Sequence, residues 1–259
     1  MKRAVAASAI VIAVMFLAAC SNEDEREVRV AAAANLQFAL EDASGRFEET
    51  CDCRVAIILG SSGALARQIR EGLPADVYAA AAESYVDELA RDGLLESGTK
   101  EVFALGRIAL ATPKGSRLGA VGLAGLGDAG VKRIAIANPA HAPFGIAAQE
   151  ALEKAGVWQR LEDRLVLAEN VAQAAQYVAN GDVDVGIISL SQAIELEGEI
   201  QYQLIEESSH APLRQTAAVL QRSAHSDLGR DFIGFLISEE GKAIMQRYGY
   251  SEPHEVVSP

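Results

Sequence analysis

Apolar runs and segments with helically spaced apolar residues alternate along most of the chain. The runs at 28–34, 54–59 and 75–81 predict buried strands. Each is followed by a helix-like segment, the first of which places Leu40, Ala43 and Phe47 on one face. Repeated strand–helix pairs predict an α/β fold with mainly parallel sheets that are covered by helices on both faces.

A second set of alternating segments begins after a longer apolar run at 103–112. Three runs predict strands and two periodic segments predict helices, and these lie at 133–137, 164–167, 184–188, 144–155 and 171–180. They predict a second lobe. A further run at 213–220 is followed only by two helical segments, which are too few elements for a third domain. We therefore expect the chain to return to the first lobe through this run.

This arrangement predicts two lobes joined by two crossing strands, 103–112 and 213–220, that act as a hinge. The predicted lobe I comprises 28–106 and 216–259, and the predicted lobe II comprises 107–215.

The first residues have the pattern of an export signal. Lys2 and Arg3 precede an apolar stretch that is too short to span a bilayer comfortably, and small residues precede Cys20. The sequence Leu17-Ala18-Ala19-Cys20 resembles the bacterial lipoprotein cleavage box, which implies a signal peptide at 1–19 and a lipid on Cys20. An ordinary signal peptide with an incidental cysteine is the alternative. The charged segment 20–27 predicts a solvated tether.

Composition narrows the possible partners. Half of the 259 residues are hydrophobic, enough for two moderate domains, and the formal net charge is −13. Such an acidic chain lacks the basic face that nucleic-acid binding requires. The four histidines show no zinc-ligand spacing, so no direct metal site is predicted. An anion bound by this protein must be held by local dipoles.

Cys51 and Cys53 are the cysteines of the predicted folded body. Their spacing places both side chains on one face of an extended chain, near the limit of disulfide geometry. Export permits a disulfide. The sequence leaves open whether the two thiols are joined.

The segment from Gly60 to Ile69 carries the main chemical signal. A strand ends in Gly60-Ser61-Ser62-Gly63 and passes directly into a helical pattern, so unpaired N–H groups and serine hydroxyls meet at a helix start. That arrangement favours an oxyanion, although Ser62 as a simple N-cap is the alternative. The turn lacks the last glycine of G-x-S-x-G, and no histidine or acid can be assigned beside it, which disfavours an enzyme.

Similar junctions recur at Ala32-Ala33-Ala34-Asn35-Leu36, at the loop Asn138-Pro139-Ala140-His141-Ala142-Pro143-Phe144-Gly145, and at Ala168-Glu169-Asn170-Val171. With Pro74-Ala75-Asp76 and the closing Arg247-Tyr248-Gly249-Tyr250, they resemble the molybdate-binding protein family over about 28–250. The resemblance implies a two-lobed type II periplasmic-binding fold and a solute receptor of a molybdate ABC importer.

The resemblance also implies roles for individual residues. Asn35 stands where the family commonly has an oxyanion-binding serine, and Ser62 matches the serine of the second junction. Phe144 and Val171 are expected to donate main-chain N–H groups from the second lobe. Ala34, in the predicted lobe I, is a further candidate for contact with the oxyanion. Ser189 replaces a frequent tyrosine, and its shorter side chain leaves its contact with the anion open.

Molybdate and tungstate are fully deprotonated tetrahedral dianions near neutral pH, so a site made only of N–H and O–H donors suits them. We therefore expect no arginine or lysine ligand, no cofactor, and a monomer that binds the anion, an ABC permease with its ATPase and, through its lipid, a membrane. The expected location is extracytoplasmic. The alternatives are the same fold binding sulfate or phosphate, and an enzyme on a similar two-lobed frame.

Overall fold

The computed structural model describes residues 26–120, 122–127 and 130–253. The predicted signal peptide, Cys20 and all but the last two residues of the predicted tether lie outside these residues. Within them, no helix is long and apolar enough to cross a membrane.

Two five-stranded sheets organise the chain, and we call them, with their covering helices, the first and second lobes. The first sheet has the order β2-β1-β3-β10-β4, and its strands are β1 (Glu27–Ala33), β2 (Arg54–Gly60), β3 (Val77–Ala80), β4 (Glu101–Gly106) and β10 (Leu213–Val219). The second has the order β7-β6-β8-β5-β9, and its strands are β5 (Ile108–Pro113), β6 (Ile134–Ala137), β7 (Leu165–Ala168), β8 (Val185–Ser189) and β9 (Ile200–Leu204).

Ten helices accompany the sheets in the part of the chain that the structure describes. They are α1 (Gln37–Cys51), α2 (Ser62–Glu71), α3 (Glu83–Arg91), α4 (Gly122–Gly125), α5 (Pro143–Lys154), α6 (Trp158–Leu161), α7 (Val171–Ala179), α8 (Leu190–Glu195), α9 (Ser226–Ile237) and α10 (Glu239–Arg247). A short 3-10 turn, Ala34–Leu36, links β1 to α1.

The two sheets share one plan, which confirms the predicted mainly parallel α/β fold. In each sheet, three neighbouring strands pair in parallel, and the fourth strand of the order pairs antiparallel with both neighbours. β1 and β3 are buried along nearly their whole length, as expected for strands covered by helices on both faces. The reversed strands are β10 in the first sheet and β5 in the second.

The apolar run at 103–112 is two strands in different sheets rather than one crossing strand. The chain leaves the first sheet at Gly106 and enters the second at Ile108. A Cβ at Gly106 would lie 2.8 Å from Nε2 of Gln215 and 3.1 Å from Cζ of Phe144, so a larger residue would have to displace the ends of these side chains. The predicted lobe boundary at 106/107 falls at this crossing, and the one at 215/216 falls inside β10.

Helices on the carboxyl-terminal side close the first lobe. Phe47 of α1 packs edge-on against Phe232 of α9, with ring centroids 5.3 Å apart. Main-chain hydrogen bonds in both directions join Ser251 to Leu105 of β4. The end of the described chain is thereby fixed against the strand from which the chain crosses to the second lobe.

The structure joins the two cysteines of the folded body in a disulfide. Cys51, at the end of α1, and Cys53, before β2, form a disulfide with Cα atoms 5.2 Å apart. Asp52 between them adopts a left-handed conformation, with φ of 49°. The disulfide therefore closes the tight turn between α1 and β2.

Candidate functional site

A small cavity lies between the lobes, where the strand-to-helix junctions meet. Its free volume is about 10 Å³, and it is lined by Ala33, Ala34, Asn35, Gly60, Ser61, Ser62, Ala81, Ala142, Pro143, Phe144, Asn170 and Val171. Pockets for drug-sized organic ligands are larger, roughly 300–1,000 Å³. All four junctions singled out in the sequence contribute to this lining, so the structure brings them together around one cavity.

Ser62 is the first residue of α2 and is fully buried. Its Oγ accepts a hydrogen bond of 3.0 Å from the main-chain N–H of Ala81, and its carbonyl accepts one of 2.7 Å from the Tyr78 hydroxyl. Because the Ala81 N–H occupies an acceptor site of Oγ, the hydroxyl proton remains available for donation. Ser62 is therefore placed as a donor to a guest in the cavity.

Two helix starts of the second lobe present main-chain donors. Pro143 is the first residue of α5 and has no N–H, so Phe144 supplies the first donor of that helix. At α7, the side chain of Asn170 accepts from the N–H of Gln173 at 3.0 Å and leaves the N–H of Val171 free of this cap. The positive ends of both helix dipoles thus face the cavity.

The position of α5 depends on one glycine. A Cβ at Gly145 would lie 2.2 Å from the carbonyl oxygen of Ala137, at the end of β6. No side chain fits there without moving backbone, so the helix start can approach the strand end only with glycine. This contact fixes the N–H of the neighbouring Phe144 relative to the sheet.

Asn35 lies in the lining and is buried, but both of its amide hydrogens are bound within the protein. They go to Oε1 of Gln215 at 2.7 Å and to the Tyr250 hydroxyl at 2.9 Å. The Nε2 of Gln215 donates to the carbonyl of Leu213, which fixes the orientation of this pair. The donor that Asn35 can offer a guest is its main-chain N–H, at the start of the 3-10 turn.

Side chains behind the cavity hold the loop that carries Asn35. The hydroxyls of Tyr250 and Ser191 donate to the Asn35 carbonyl at 2.6 and 2.7 Å, and Nε2 of Gln192 donates to the Ala34 carbonyl at 3.2 Å. Burial raises the pKa of the Tyr250 hydroxyl far above its ordinary value of 10.0. Sequence reasoning missed this network, although the closing Arg-Tyr-Gly-Tyr segment was a signal.

Ala34 lies in the lining, but Ser189 does not. Ser189 precedes α8 and caps it, since its Oγ accepts from the N–H of Gln192 at 3.3 Å and lies 3.1 Å from Oγ of Ser191. The short side chain is used for this local cap. The structure therefore does not bring Ser189 together with the other predicted site residues.

None of the side chains that line the cavity carries a formal charge. Glu169, the acid nearest to the second-lobe junction, has 63% of its side chain exposed and is not part of the lining. Arg67 of α2 is exposed as well. Within the described residues, no three His, Cys, Asp or Glu side chains are grouped to hold a metal ion. The cavity offers hydrogen-bond donors and dipoles to a guest.

Sequence reasoning assigned no histidine to the Ser-Ser-Gly turn, and the structure corrects this. Nδ1 of His141 lies 2.7 Å from Oγ of Ser61, and its Nε2 lies 4.0 Å from Oε2 of Glu169. The second gap is too long for a hydrogen bond. The backbone at Ser61 is an ordinary extended one, and the nearby N–H of Gly63 already donates to the His141 carbonyl. Ser61, His141 and Glu169 therefore lack the geometry of a hydrolytic triad.

Two sheets of one plan, with a donor-lined cavity at the facing ends of their strands, define a solute-binding protein of the type II periplasmic-binding fold. A family model described as bacterial extracellular solute-binding protein matches residues 28–251. The chain therefore belongs to this family, which confirms the class predicted from the sequence.

Individual relatives are similar over nearly their whole length. The molybdate-binding protein ModA of Rhodobacter capsulatus is 30% identical over 86% of this chain and 88% of its own. ModA of Azotobacter vinelandii is 30% identical over 90% of this chain and 93% of its own. A solved structure of the Azotobacter vinelandii periplasmic molybdate-binding protein superposes with a TM-score of 0.80 at 28% identity, covering 88% of this chain and 100% of that chain.

Proposed function

We propose that this protein is an extracytoplasmic receptor that captures molybdate or tungstate between its lobes and delivers the anion to an ABC importer. Relatives named as molybdate-binding proteins, matched over most of both chains, support the ligand class. The relatives are solute-binding proteins rather than enzymes, and we propose that this chain likewise has no catalytic activity.

The charge-free lining of the cavity carries the proposal. Every oxygen of a molybdate or tungstate dianion can only accept hydrogen bonds, which the Ser62 hydroxyl and the main-chain N–H groups of Asn35, Phe144 and Val171 can donate. Phosphate near neutral pH carries an O–H that needs an acceptor, and leaving that group unsatisfied costs roughly 1–3 kcal/mol. Sulfate has shorter bonds, so a cage spaced for molybdate would hold it through stretched hydrogen bonds.

In this proposal, selective binding depends on closure of the two lobes around the anion. The donors come from both lobes, so an anion is bound by all of them only when the lobes approach each other. Binding therefore shifts the population toward the closed form. The closed surface is what a permease and its ATPase would recognise.

The proposed location rests on the amino-terminal sequence. We propose a signal peptide at 1–19, a lipid on Cys20 and a tether at 20–27, which together would hold a monomeric receptor at the membrane surface. Lobe I would comprise 28–106 and the chain from the start of β10 onward, since β10 lies wholly in the first sheet, and lobe II would comprise the segment between them. The acidic net charge of −13 gives no reason to expect a nucleic-acid partner.

Titration calorimetry of the purified protein with molybdate, tungstate, sulfate and phosphate tests the proposal. We expect molybdate and tungstate to compete for one site, and phosphate to bind roughly 5- to 150-fold more weakly because of its unsatisfied O–H. Tight sulfate binding without heat from molybdate would contradict the proposed ligand. Turnover of an organic phosphate or ester would contradict the proposed class.

A further inference from the structure

The two lobes contact each other through three residues at one side of the cavity. The N–H of Gly63, in the first lobe, donates to the carbonyl of His141, in the second lobe, at 2.9 Å. Beside it, Oγ of Ser61 lies 2.7 Å from Nδ1 of His141. Both contacts join groups more than seventy residues apart in sequence, across the cleft between the sheets.

The fit at this contact leaves no room for a side chain on the first lobe. A Cβ at Gly63 would lie 2.7 Å from the carbonyl oxygen of His141, 3.0 Å from its Cβ and 3.1 Å from its Cα. Two of these atoms belong to the backbone, so a rotamer change cannot relieve the overlap. Any larger residue at 63 would push the lobes apart.

This contact lies on the side of the first sheet that is farthest from the crossing between the lobes. Ser61 follows β2, the edge strand farthest in the first sheet from β4, where the chain crosses to the second lobe. Further interlobe bonds, from Ser191 and Gln192 to the carbonyls of Asn35 and Ala34, come from α8, which begins beside the crossing at Arg107. A rotation about the crossing would separate Ser61 from His141 much more than it would separate the α8 contacts.

We propose that Ser61, Gly63 and His141 form a latch that stabilises the closed form of the protein without serving as the donors that select the anion. The predictions below for molybdate binding and release rest on the proposed function. The apparent affinity for a ligand that contacts both lobes is proportional to the fraction of the protein that is closed. The latch therefore sets how tightly the receptor holds its anion and how slowly it releases it.

The Gly63→Ala variant tests the steric part of the latch. Alanine favours the helical conformation of α2, so the fold is expected to remain stable while closure is impaired. We expect molybdate to bind at least tenfold more weakly and to dissociate faster. We also expect a larger radius of gyration by small-angle scattering, in the presence and absence of molybdate. Gly45→Ala is the matched control, because Gly45 is exposed in α1 and a Cβ at this position would have no atom within 4 Å.

A second pair of variants tests the side chain. His141→Leu removes the group that meets Ser61, whereas His141→Asn retains a hydrogen-bonding atom near the position of Nδ1. We expect the leucine variant to release molybdate severalfold faster than wild type and the asparagine variant to recover most of this difference. Equal release rates in all three proteins would remove the side chain from the latch.

The outcomes separate the latch from the proposed function. Equal affinity and equal radius of gyration for Gly63→Ala and wild type would overturn the latch, as would weaker binding with an unchanged radius. If wild type binds none of molybdate, tungstate, sulfate and phosphate, the proposed function fails. In that case, a more open ligand-free Gly63→Ala protein still supports the latch, and an equally closed one overturns it.

Discussion

Individual buried polar residues in this protein connect the fold to the cavity. The Ser62 hydroxyl oxygen accepts from the Ala81 N–H at the edge of the cavity, and in the proposed function the hydroxyl proton is donated to the anion. Asn35 is used differently, because its side-chain amide is tied to Gln215 and Tyr250 and only its main chain can serve a guest. The strand-to-helix junctions and the family resemblance therefore indicated most of the candidate positions that line the cavity, but not which atom each position contributes.

The Ser62→Ala variant should bind molybdate about 10- to 150-fold more weakly, because a hydrogen bond to a charged acceptor contributes roughly 1.5–3 kcal/mol. The variant should also unfold more easily, since the buried N–H of Ala81 loses its acceptor. Calorimetry and urea unfolding measure the two effects. Ser44→Ala is the control, because Ser44 is buried in α1 and its Oγ has no partner within the described residues. Unchanged affinity in Ser62→Ala would remove Ser62 from the site.

The Tyr250→Phe variant should lower the free energy of unfolding by roughly 1–3 kcal/mol, because an amide hydrogen and the carbonyl of Asn35 lose a buried partner. Urea unfolding at pH 7 measures this loss. Tyr202→Phe serves as control, because the Tyr202 hydroxyl has no bonded partner in the described part of the chain. Equal losses in both variants would mean that the network contributes nothing specific.

Tyr250 also predicts a pH dependence. Its pKa is raised in the folded protein by burial, and the same holds for Tyr78. Folding therefore favours the neutral hydroxyls, so their contribution is complete below the ordinary pKa of 10.0 and declines as the pH rises above it. Urea unfolding at pH 8 and at pH 11 should show a loss of stability that is smaller in Tyr250→Phe. An equally steep loss in that variant would contradict this assignment.

At the scale of helices and strands, sequence reasoning was most successful where the apolar pattern is long. The helices that begin at Pro143 and Val171 were predicted to within one residue of their observed starts, because strand ends and caps mark them in the sequence. Short elements such as α8 and β9 were missed, since six and five residues give too little periodicity.

The contacts between distant elements could not be predicted from pattern at all. Asn35 and Tyr250 are separated by 215 residues, and Ser61 and His141 by 80. Their pairing depends on the return of the chain to the first lobe and on the angle between the lobes. Neither is encoded in a local window of sequence.

The disulfide gives a prediction for the α1–β2 turn. Replacing both Cys51 and Cys53 by serine should lower the free energy of unfolding by roughly 1–2 kcal/mol, because the closed loop is very short and restricts the unfolded chain only slightly. Molybdate affinity should be unchanged, since neither residue lines the cavity. Chemical unfolding and calorimetry of the double variant test both statements, and a large loss of affinity would show that the turn supports the binding site.

At the scale of the whole molecule, an acidic protein is proposed to bind a dianion. The net charge of −13 repels the incoming anion over distances that salt can screen, while the donors of the cavity act only at contact. Raising the NaCl concentration from about 10 to about 150 mM should therefore increase the association rate of molybdate by roughly two- to tenfold. Stopped-flow measurements with a fluorescent surface label test this, and a rate that falls with salt would indicate a positively charged entry path.

The chain crosses between sheets in connecting segments, and no strand of the described chain belongs to both sheets. A hinge motion can therefore leave the hydrogen bonds between the strands of each sheet intact. Only contacts between the facing surfaces of the lobes form and break in each binding cycle. A receptor built in this way can load and unload repeatedly without passing through a partly unfolded state. Its strands should resist proteases and amide exchange equally well with and without cargo.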